Sequence, residues 1–243
     1  AGEMTEEEWI GTVSRPIAMM RFVEGRASRR QKLRIGLAGC RFFWDDLSDP
    51  LLRHAITLAD DHLGGPKESE QLEQAAEYAR QVLFSYPAFL TDVVRTEEES
   101  DSGVLICCAG AVSYLCGGDS IVIVLKELLD AAIMLGPVAR KNLQEYLCQQ
   151  IREVIGFPHR PWQVNPEFLG GGWIQPDGVV VRFSETAVQL AHRIAQEQTY
   201  EDMPILADAV EESGISDPLL LRHLREESQH ARGCWVLGII LRV

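Results

Sequence analysis

Two residues near the C-terminus have types and a spacing that could carry chemistry. His230 and Cys234 stand four positions apart in a segment, 230–241, that is predicted to be helical, so both side chains would lie on one face. An imidazole and a thiolate placed in this way are half of a tetrahedral zinc site. Cys40 is one of the cysteines that could help to complete it, but the chain has no C-x2-C pair. We therefore expect no metal ion and no other cofactor.

The same pair could instead be a thiol nucleophile with its base, because a nearby imidazole lowers the pKa of a cysteine. However, the apolar run 235–237 follows Cys234 and is typical of an internal helix. A buried, unreactive thiol is the favoured interpretation. The alternative that remains is a thiol- or metal-dependent enzyme, or a ligand-activated protein, with a pocket built from Cys40, Arg160, His230 and Cys234.

Arg160 and Trp162 belong to a segment, Phe157-Pro-His-Arg-Pro-Trp, in which two prolines restrict the backbone. Such a loop presents side chains at a small entropic cost, so the two residues could bind an anionic or planar ligand. The alternative is structural, with Arg160 at a helix C-terminus and Trp162 in the core. Arg232 allows a similar pair of interpretations, as a ligand clamp or as the partner of an acidic side chain.

Several signatures of common enzymes are absent from the chain. It contains no G-x-x-x-x-G-K-[ST], no G-x-G-x-x-G, no G-x-S-x-G, no H-E-x-x-H and no EF-hand loop. The glycines of 170–172 lack the lysine that usually accompanies a phosphate cradle. The sequence therefore leaves open whether the protein is an enzyme.

The charge of the chain argues against a nucleic-acid partner. Its 243 residues carry a formal net charge of -13, which repels phosphate backbones. One stretch, 15–41, is basic with a single acid, Glu24, and we interpret it as pairing with the acidic surface of the protein itself. No apolar run is long enough to span a membrane, and the N-terminus does not resemble a signal peptide, so we expect a cytoplasmic protein.

The elements that must position these residues are predicted to be helices. Thr5 and Glu8 form a capping box, and Asp49-Pro50 is typical of a helix start. Two apolar segments, 104–115 and 121–135, contain β-branched residues but have helical spacing, which favours two buried helices. We predict an all-α fold, a multi-helix antiparallel bundle of helical hairpins.

The predicted helices form one domain over 4–243, interrupted in two places. The acidic stretch 96–103 is predicted to be a charged loop and a possible sub-boundary. The proline- and glycine-rich stretch 157–178 is predicted to be a long irregular loop or two short extended pieces, lying against the C-terminal helices. Loops of this length in compact domains are often functional.

Five segments, taken in order, resemble an uncharacterised family of helical bacterial proteins that occurs as many paralogues within single genomes. They are Met4-Thr-Glu-Glu-Glu-Trp, Arg34-Ile-Gly-Leu-Ala-Gly-Cys-Arg, Ile151-Arg-Glu-Val-Ile-Gly-Phe-Pro-His-Arg-Pro, Leu206-Ala-Asp-Ala-Val-Glu-Glu-Ser-Gly and His230-Ala-Arg-Gly-Cys-Trp-Val-Leu. The resemblance covers nearly the whole chain and implies a helical bacterial protein, without implying an activity. The chain departs from the family by having Gly39, Ile215 and Gly238 where the family often has cysteine, cysteine and aspartate.

The leading hypothesis is a binding or adaptor module for a protein partner or a small anionic ligand. The numerous paralogues, the segregated charges and the lack of a catalytic signature favour protein–protein interaction or ligand binding over catalysis. The residues expected to contact the partner or ligand lie in the loop 157–162, in the segment 230–235 and at Cys40. They are Arg160, Trp162, Arg232, His230, Cys234 and Cys40.

Overall fold

The chain folds into two compact units. The computed structural model describes residues 4–63, 65, 67–86, 97–118, 120–165, 172–226, 230 and 233–241. The N-terminal unit is Ala1–Ile151 and the C-terminal unit is Arg152–Val243. The sequence predicted one domain over 4–243, with a possible sub-boundary at 96–103. The division lies instead at 151/152, within a single helix.

The N-terminal unit is built from helices that pack in chain order. Helix α4 contacts α5, α5 contacts α6, and α6 contacts α7. The helices of this unit are α1 (Glu6–Gly11), α2 (Pro16–Val23), α3 (Arg29–Phe42), α4 (Pro50–Asp61), α5 (Glu68–Ser85), α6 (Glu97–Gly117), α7 (Ile121–Met134) and α8 (Pro137–Ile155), whose last turn belongs to the C-terminal unit. The predicted buried helices over 104–115 and 121–135 are confirmed as α6 and α7.

Local hydrogen bonds explain where several helices begin. The hydroxyl of Thr5 accepts from the Glu8 amide at 3.1 Å, and the Glu8 carboxylate accepts from the Thr5 amide at 2.9 Å. The Asp49 carboxylate accepts from the amides of Leu51 and Leu52, at 2.8 and 3.2 Å, ahead of α4. Both predicted helix starts are therefore confirmed.

The acidic stretch differs from its prediction. Residues 97–103 are the first two turns of α6, whereas the sequence predicted a loop over 96–103. Carboxylates near a helix N-terminus interact favourably with the exposed amides and the helix dipole, so acidic residues favour a helix at this place. Residue 96 lies outside the described part of the chain.

The C-terminal unit combines a small sheet with short helices. Its three strands are antiparallel in the order β1-β2-β3, with Trp173 of β2 opposite Val164 of β1 and Val181 of β3. Its elements are β1 (Gln163–Asn165), β2 (Gly172–Ile174), β3 (Val180–Val181), α9 (Glu185–Glu197), a 3₁₀ turn (Tyr200–Asp202), α10 (Met203–Glu212), α11 (Pro218–Glu226) and α12 (Trp235–Leu241). Despite this sheet, helices dominate the described chain, and the predicted all-α, multi-helix fold class is confirmed.

The stretch 157–178 takes the second of its two predicted forms. It contains two short extended pieces, β1 and β2, while 166–171 lie outside the described residues. Phe157 packs edge-on against Trp235 of α12, with ring centroids 5.7 Å apart. The stretch therefore lies against a C-terminal helix, as the sequence predicted.

Helix α12 begins five residues later than predicted. The sequence predicted a helix from His230, but Gly233 has a φ of +96°, which is not helical, and α12 starts at Trp235. His230 and Cys234 therefore do not share a helical face. Their relation in space has to come from packing rather than from helical periodicity.

Large apolar side chains fill the core of each unit. Trp9, Phe43 and Met19 are fully buried in the N-terminal unit, and Met203 and Val236 are fully buried in the C-terminal unit. None of the helices in the described part of the chain combines the length and the apolar character that a membrane span requires.

Gly39 tests how tightly α3 packs in the N-terminal unit. A Cβ at this position would lie 2.5 Å from Leu128 Cδ1 and 3.2 Å from Leu147 Cδ2. We expect Gly39→Cys to destabilise the unit by about 1–3 kcal/mol through overpacking. Denaturant unfolding followed by circular dichroism measures the change. Gly11→Ala is the control because open space surrounds that position, and equal stability of the two variants would contradict the prediction.

Candidate metal centre

The first component of the candidate site is a carboxylate at the end of α8. Glu153 lies in the last turn of this helix, and its side chain is only 1% exposed. The helix ends at Gly156, which has a φ of +73° and donates its amide to the Arg152 carbonyl at 2.8 Å. A buried carboxylate such as that of Glu153 is costly unless charged or polar groups around it act as partners.

His223 comes from α11, which Asp217 caps. The Asp217 carboxylate accepts from the amides of Leu219 and Leu220, each at 2.9 Å, and thereby fixes the start of the helix. This is the same chemistry that begins α4 at Asp49. Helix α11 presents the His223 ring to the interior, where its side chain is 3% exposed.

His230 and Cys234 come from the segment that leads into α12. The His230 side chain is 3% exposed. Cys234 immediately precedes α12, and its carbonyl accepts from the Gly238 amide at 3.0 Å. The backbone amides of Val236 and Leu237 donate to the Cys234 sulfur, so the sulfur faces the positive end of the helix.

The four side chains converge on one point. One potential ligand atom from each of Glu153, His223, His230 and Cys234 lies within 4.8 Å of the others. His223 Nε2 is 3.1 Å from Cys234 Sγ and 3.5 Å from Glu153 Oε2, and His230 Nδ1 is 3.4 Å from Glu153 Oε1. Ligand atoms around a tetrahedral zinc ion are separated by about 3.3–3.7 Å, given metal–ligand bonds of about 2.0–2.3 Å. These three separations are close to that range, whereas for the whole group the limit is 4.8 Å.

The thiol of Cys234 is protonated in the absence of a metal ion. Burial, and secondly the charge of Glu153, raise its pKa well above the ordinary value, while the amides of Val236 and Leu237 act in the opposite direction. A thiol in this state is a poor nucleophile. A cation at the centre of the cluster would reverse the balance, because metal ions bind the thiolate.

The arrangement differs from a nucleophile–base–acid triad. In a triad the two nitrogens of the histidine serve different partners, one toward the nucleophile and one toward the carboxylate. Here Cys234 Sγ and Glu153 Oε2 both approach the same atom, His223 Nε2. Cys234 is only 1% exposed, so its sulfur is not open to a substrate, and the convergence on one nitrogen is compatible with ligands around a shared ion.

Aromatic side chains surround the cluster. The rings of His223 and His230 meet edge to face, with centroids 4.8 Å apart. Trp235 lies 5.4 Å from His223, and Tyr200 lies 6.4 Å from His230. This apolar shell lowers the local dielectric constant and so strengthens any electrostatic interaction among the four side chains.

Gly156 packs closely against Trp235, one of these aromatic side chains. A Cβ there would lie 2.7 Å from Trp235 Cδ2, and the positive φ adds backbone strain. We expect Gly156→Ala to destabilise the C-terminal unit by at least about 2 kcal/mol. Gly178→Ala is the matched control because Gly178 has a φ of +87° with open space around it. Tryptophan fluorescence during unfolding measures both, and equal losses would contradict a specific role for the contact with Trp235.

The other residues that the sequence singled out lie elsewhere. Trp162 is half-buried and stacks on Phe183, at 6.2 Å between centroids, which matches the structural alternative for this residue. Cys40 is fully buried on α3 in the N-terminal unit, where burial and the neighbouring Cys116 raise its pKa. Arg232 lies outside the described residues.

Arg160 is exposed and lines a separate pocket in the C-terminal unit. The pocket has a volume of about 510 Å³ and lies between the loop at 159–163, the hairpin at 174–178 and the start of α11. Asp177 and Asp217 share its wall with Arg160. The pocket is therefore mixed in charge rather than uniformly cationic.

The basic stretch 15–41 pairs with acidic side chains of the protein. Arg41 reaches Asp60 at 2.9 Å, Arg30 reaches Glu68 at 3.1 Å, and Arg15 reaches Glu8 at 3.9 Å. The interpretation that this stretch pairs with the protein's own acidic surface is confirmed for these three arginines.

The sequence pointed to His230 and Cys234 but missed Glu153 and His223. No spacing pattern connects Glu153 with the other three, because 69 residues separate it from His223. The only available signal was the crowding of His223, His230 and Cys234, at intervals of seven and four, around a terminal apolar helix.

A scan against protein-family models, a search of curated proteins and a search of solved structures each found no significant match for this chain.

Proposed function

We propose that the C-terminal unit binds one divalent transition-metal ion through Glu153, His223, His230 and Cys234. The observation that carries the proposal is the convergence of one carboxylate, two imidazoles and one thiol within 4.8 Å, in a buried setting. Nitrogen and sulfur ligands favour zinc and its neighbours over magnesium or calcium, which prefer oxygen.

Charge balance supports a divalent ion. A carboxylate and a thiolate contribute two negative charges, and two neutral imidazoles contribute none, so a divalent ion makes the cluster neutral. Neutrality matters because Glu153 and Cys234 are each only 1% exposed, and an uncompensated charge in such a place is strongly destabilising. With four protein ligands and no exposed side chain among them, the site resembles structural rather than catalytic zinc sites.

Metal titration of the purified full-length chain tests this proposal. We expect one Zn²⁺ to be retained per chain after gel filtration. Co²⁺, loaded in its place, should give the visible absorption of tetrahedral coordination and a near-ultraviolet band from thiolate-to-cobalt charge transfer. Mg²⁺ is the control because it disfavours these ligands. Retention of no Zn²⁺, or a cobalt spectrum without the thiolate band, would contradict the proposed ligand set.

The pocket at Arg160 supports a second candidate function, the binding of a small ligand with an anionic group. A guanidinium forms strong charge-assisted hydrogen bonds with carboxylates and phosphates. Because Asp177 and Asp217 share the wall, a ligand with both an acidic and a basic group fits the pocket better than a polyanion. This candidate continues the hypothesis of a binding module, in which the metal ion has a supporting role.

We expect Arg160→Ala to weaken the binding of such a ligand by at least about tenfold, the equivalent of one charge-assisted hydrogen bond. Calorimetric titration with phosphate, free amino acids and small dicarboxylates identifies the probe and measures the loss. Arg182→Ala is the control because Arg182 is an exposed arginine of the same unit that does not line the pocket. If none of these probes binds saturably, or if both variants behave alike, the candidate is wrong.

A further inference from the structure

The candidate metal centre lies inside the hydrophobic core of the C-terminal unit. Cys234 is itself a member of that core, together with Leu220 and Leu224 of α11 and Val236 and Leu237 of α12. A polar cluster in such a place replaces apolar packing that the unit would otherwise use. These residues therefore stabilise the core fully only when each of their buried polar atoms has a hydrogen-bond partner or a metal ion.

Without a metal ion, hydrogen bonds do not satisfy every polar atom of the cluster. His230 Nε2 is buried and has no hydrogen-bond partner among the described residues. An unsatisfied buried nitrogen is destabilising because it has lost its hydrogen bonds to water. The His230 ring offers either nitrogen to a metal ion, Nε2 or the Nδ1 that lies 3.4 Å from Glu153 Oε1, and the ion neutralises the carboxylate and the thiolate at the same time.

The four ligands come from both ends of the C-terminal unit. Glu153 is the second residue of the unit, while His223, His230 and Cys234 lie near its end. The sheet and helices α9 and α10 lie between them in the sequence. An ion bound to all four would close this long segment, and closure of a long loop removes much conformational entropy from the unfolded chain.

We infer that folding of the C-terminal unit is coupled to metal binding, whereas the N-terminal unit folds without metal. This inference rests on the proposed function, since it requires the ion to bind at Glu153, His223, His230 and Cys234. Among the described residues this is the one group of three or more ligand-type side chains close enough to hold an ion, and it lies wholly within the C-terminal unit. The unfolded chain has no preformed site, so the binding energy becomes folding energy.

Hydrogen exchange of the full-length chain, resolved by peptide mass spectrometry, tests the inference. The chain is measured with Zn²⁺, after treatment with a chelator, and after Zn²⁺ is restored. At free Zn²⁺ about 100 times the Kd, exchange through unfolding of the C-terminal unit should slow about 100-fold relative to the chelated protein. Peptides from α11 and α12 should show this change, and peptides from α3 and α7 should not.

The outcomes separate the inference from the proposed function. If the chain binds one Zn²⁺ but α11 and α12 are equally protected with and without it, coupled folding is wrong and metal binding stands. If Zn²⁺ protects α3 and α7 as strongly as α11 and α12, the assignment to one unit is wrong. If the chain binds no Zn²⁺, both proposals fail.

A ligand variant gives an independent check. His223→Ala should leave α11 and α12 unprotected whether Zn²⁺ is present or not, while α3 and α7 keep their protection. Because this variant could also destabilise the unit through lost packing, the reversible effect of Zn²⁺ on the unmodified chain remains the deciding measurement. Protection of α11 and α12 by Zn²⁺ in His223→Ala, to the level of the unmodified chain, would overturn the inference.

Discussion

Replacement of His223 by alanine should weaken Zn²⁺ binding by at least about 100-fold. Structural zinc sites bind with about 10–16 kcal/mol, and an equal share for each of four ligands is roughly 3 kcal/mol, or about a 100-fold loss of affinity. The loss should be at least this large because His223 Nε2 lies within 3.5 Å of both Cys234 Sγ and Glu153 Oε2. Competition with a chelator of known affinity measures the change.

His192→Ala is the matched control for this variant. His192 lies on α9 in the same C-terminal unit, and its side chain is exposed. It should bind Zn²⁺ as tightly as the unmodified chain does. If His223→Ala retains an affinity within a few-fold of His192→Ala, His223 is not a ligand and the proposed set is wrong.

Metal uptake should release a proton from Cys234 at neutral pH. Burial, followed by the charge of Glu153, raises the pKa of this thiol well above its ordinary value, so the metal-free protein holds it protonated at pH 7. The metal ion requires the thiolate, and the proton must therefore leave. Below the pKa of the thiol, this one group should increase Zn²⁺ affinity by about tenfold for each unit of rising pH.

Calorimetry in buffers with different ionisation enthalpies counts the released protons. Cys234→Ser should release about one proton fewer per ion and should lose the charge-transfer band of the cobalt-loaded protein. Cys107→Ser is the control, because Cys107 is a buried cysteine on α6 in the N-terminal unit. A proton count that is the same in both variants would show that the thiol does not bind the ion.

The sequence prediction and the structure differ most at Cys234. The sequence placed Cys234 and His230 on one helical face and favoured an unreactive thiol without a metal ion. The structure places Gly233 outside helical conformation, so the pair meets through packing instead. The Cys234 sulfur lies 3.1 Å from Nε2 of His223, a residue that the sequence did not select.

Short-range chemistry was predictable from the residues alone. The capping box at Thr5 and the helix starts at Asp49 and Asp217 depend on hydrogen bonds between residues at most three positions apart. The helical spacing of apolar residues likewise indicated α6 and α7, because it reflects the face that each helix buries. The acidic stretch at 97–103 was less clear, since carboxylates are common both in loops and in the first turn of a helix.

The sequence by itself therefore determined an acidic, largely helical protein and several of its helix starts, because such features depend on neighbouring residues. Only the tertiary structure brought Glu153 at the end of α8 to His223 of α11 and to the pair His230 and Cys234. That meeting depends on how α8, α11 and α12 pack, and packing joins residues far apart in the chain. Ligand geometry is a property of the folded chain, and for this reason the sequence contained the four residues without indicating the site.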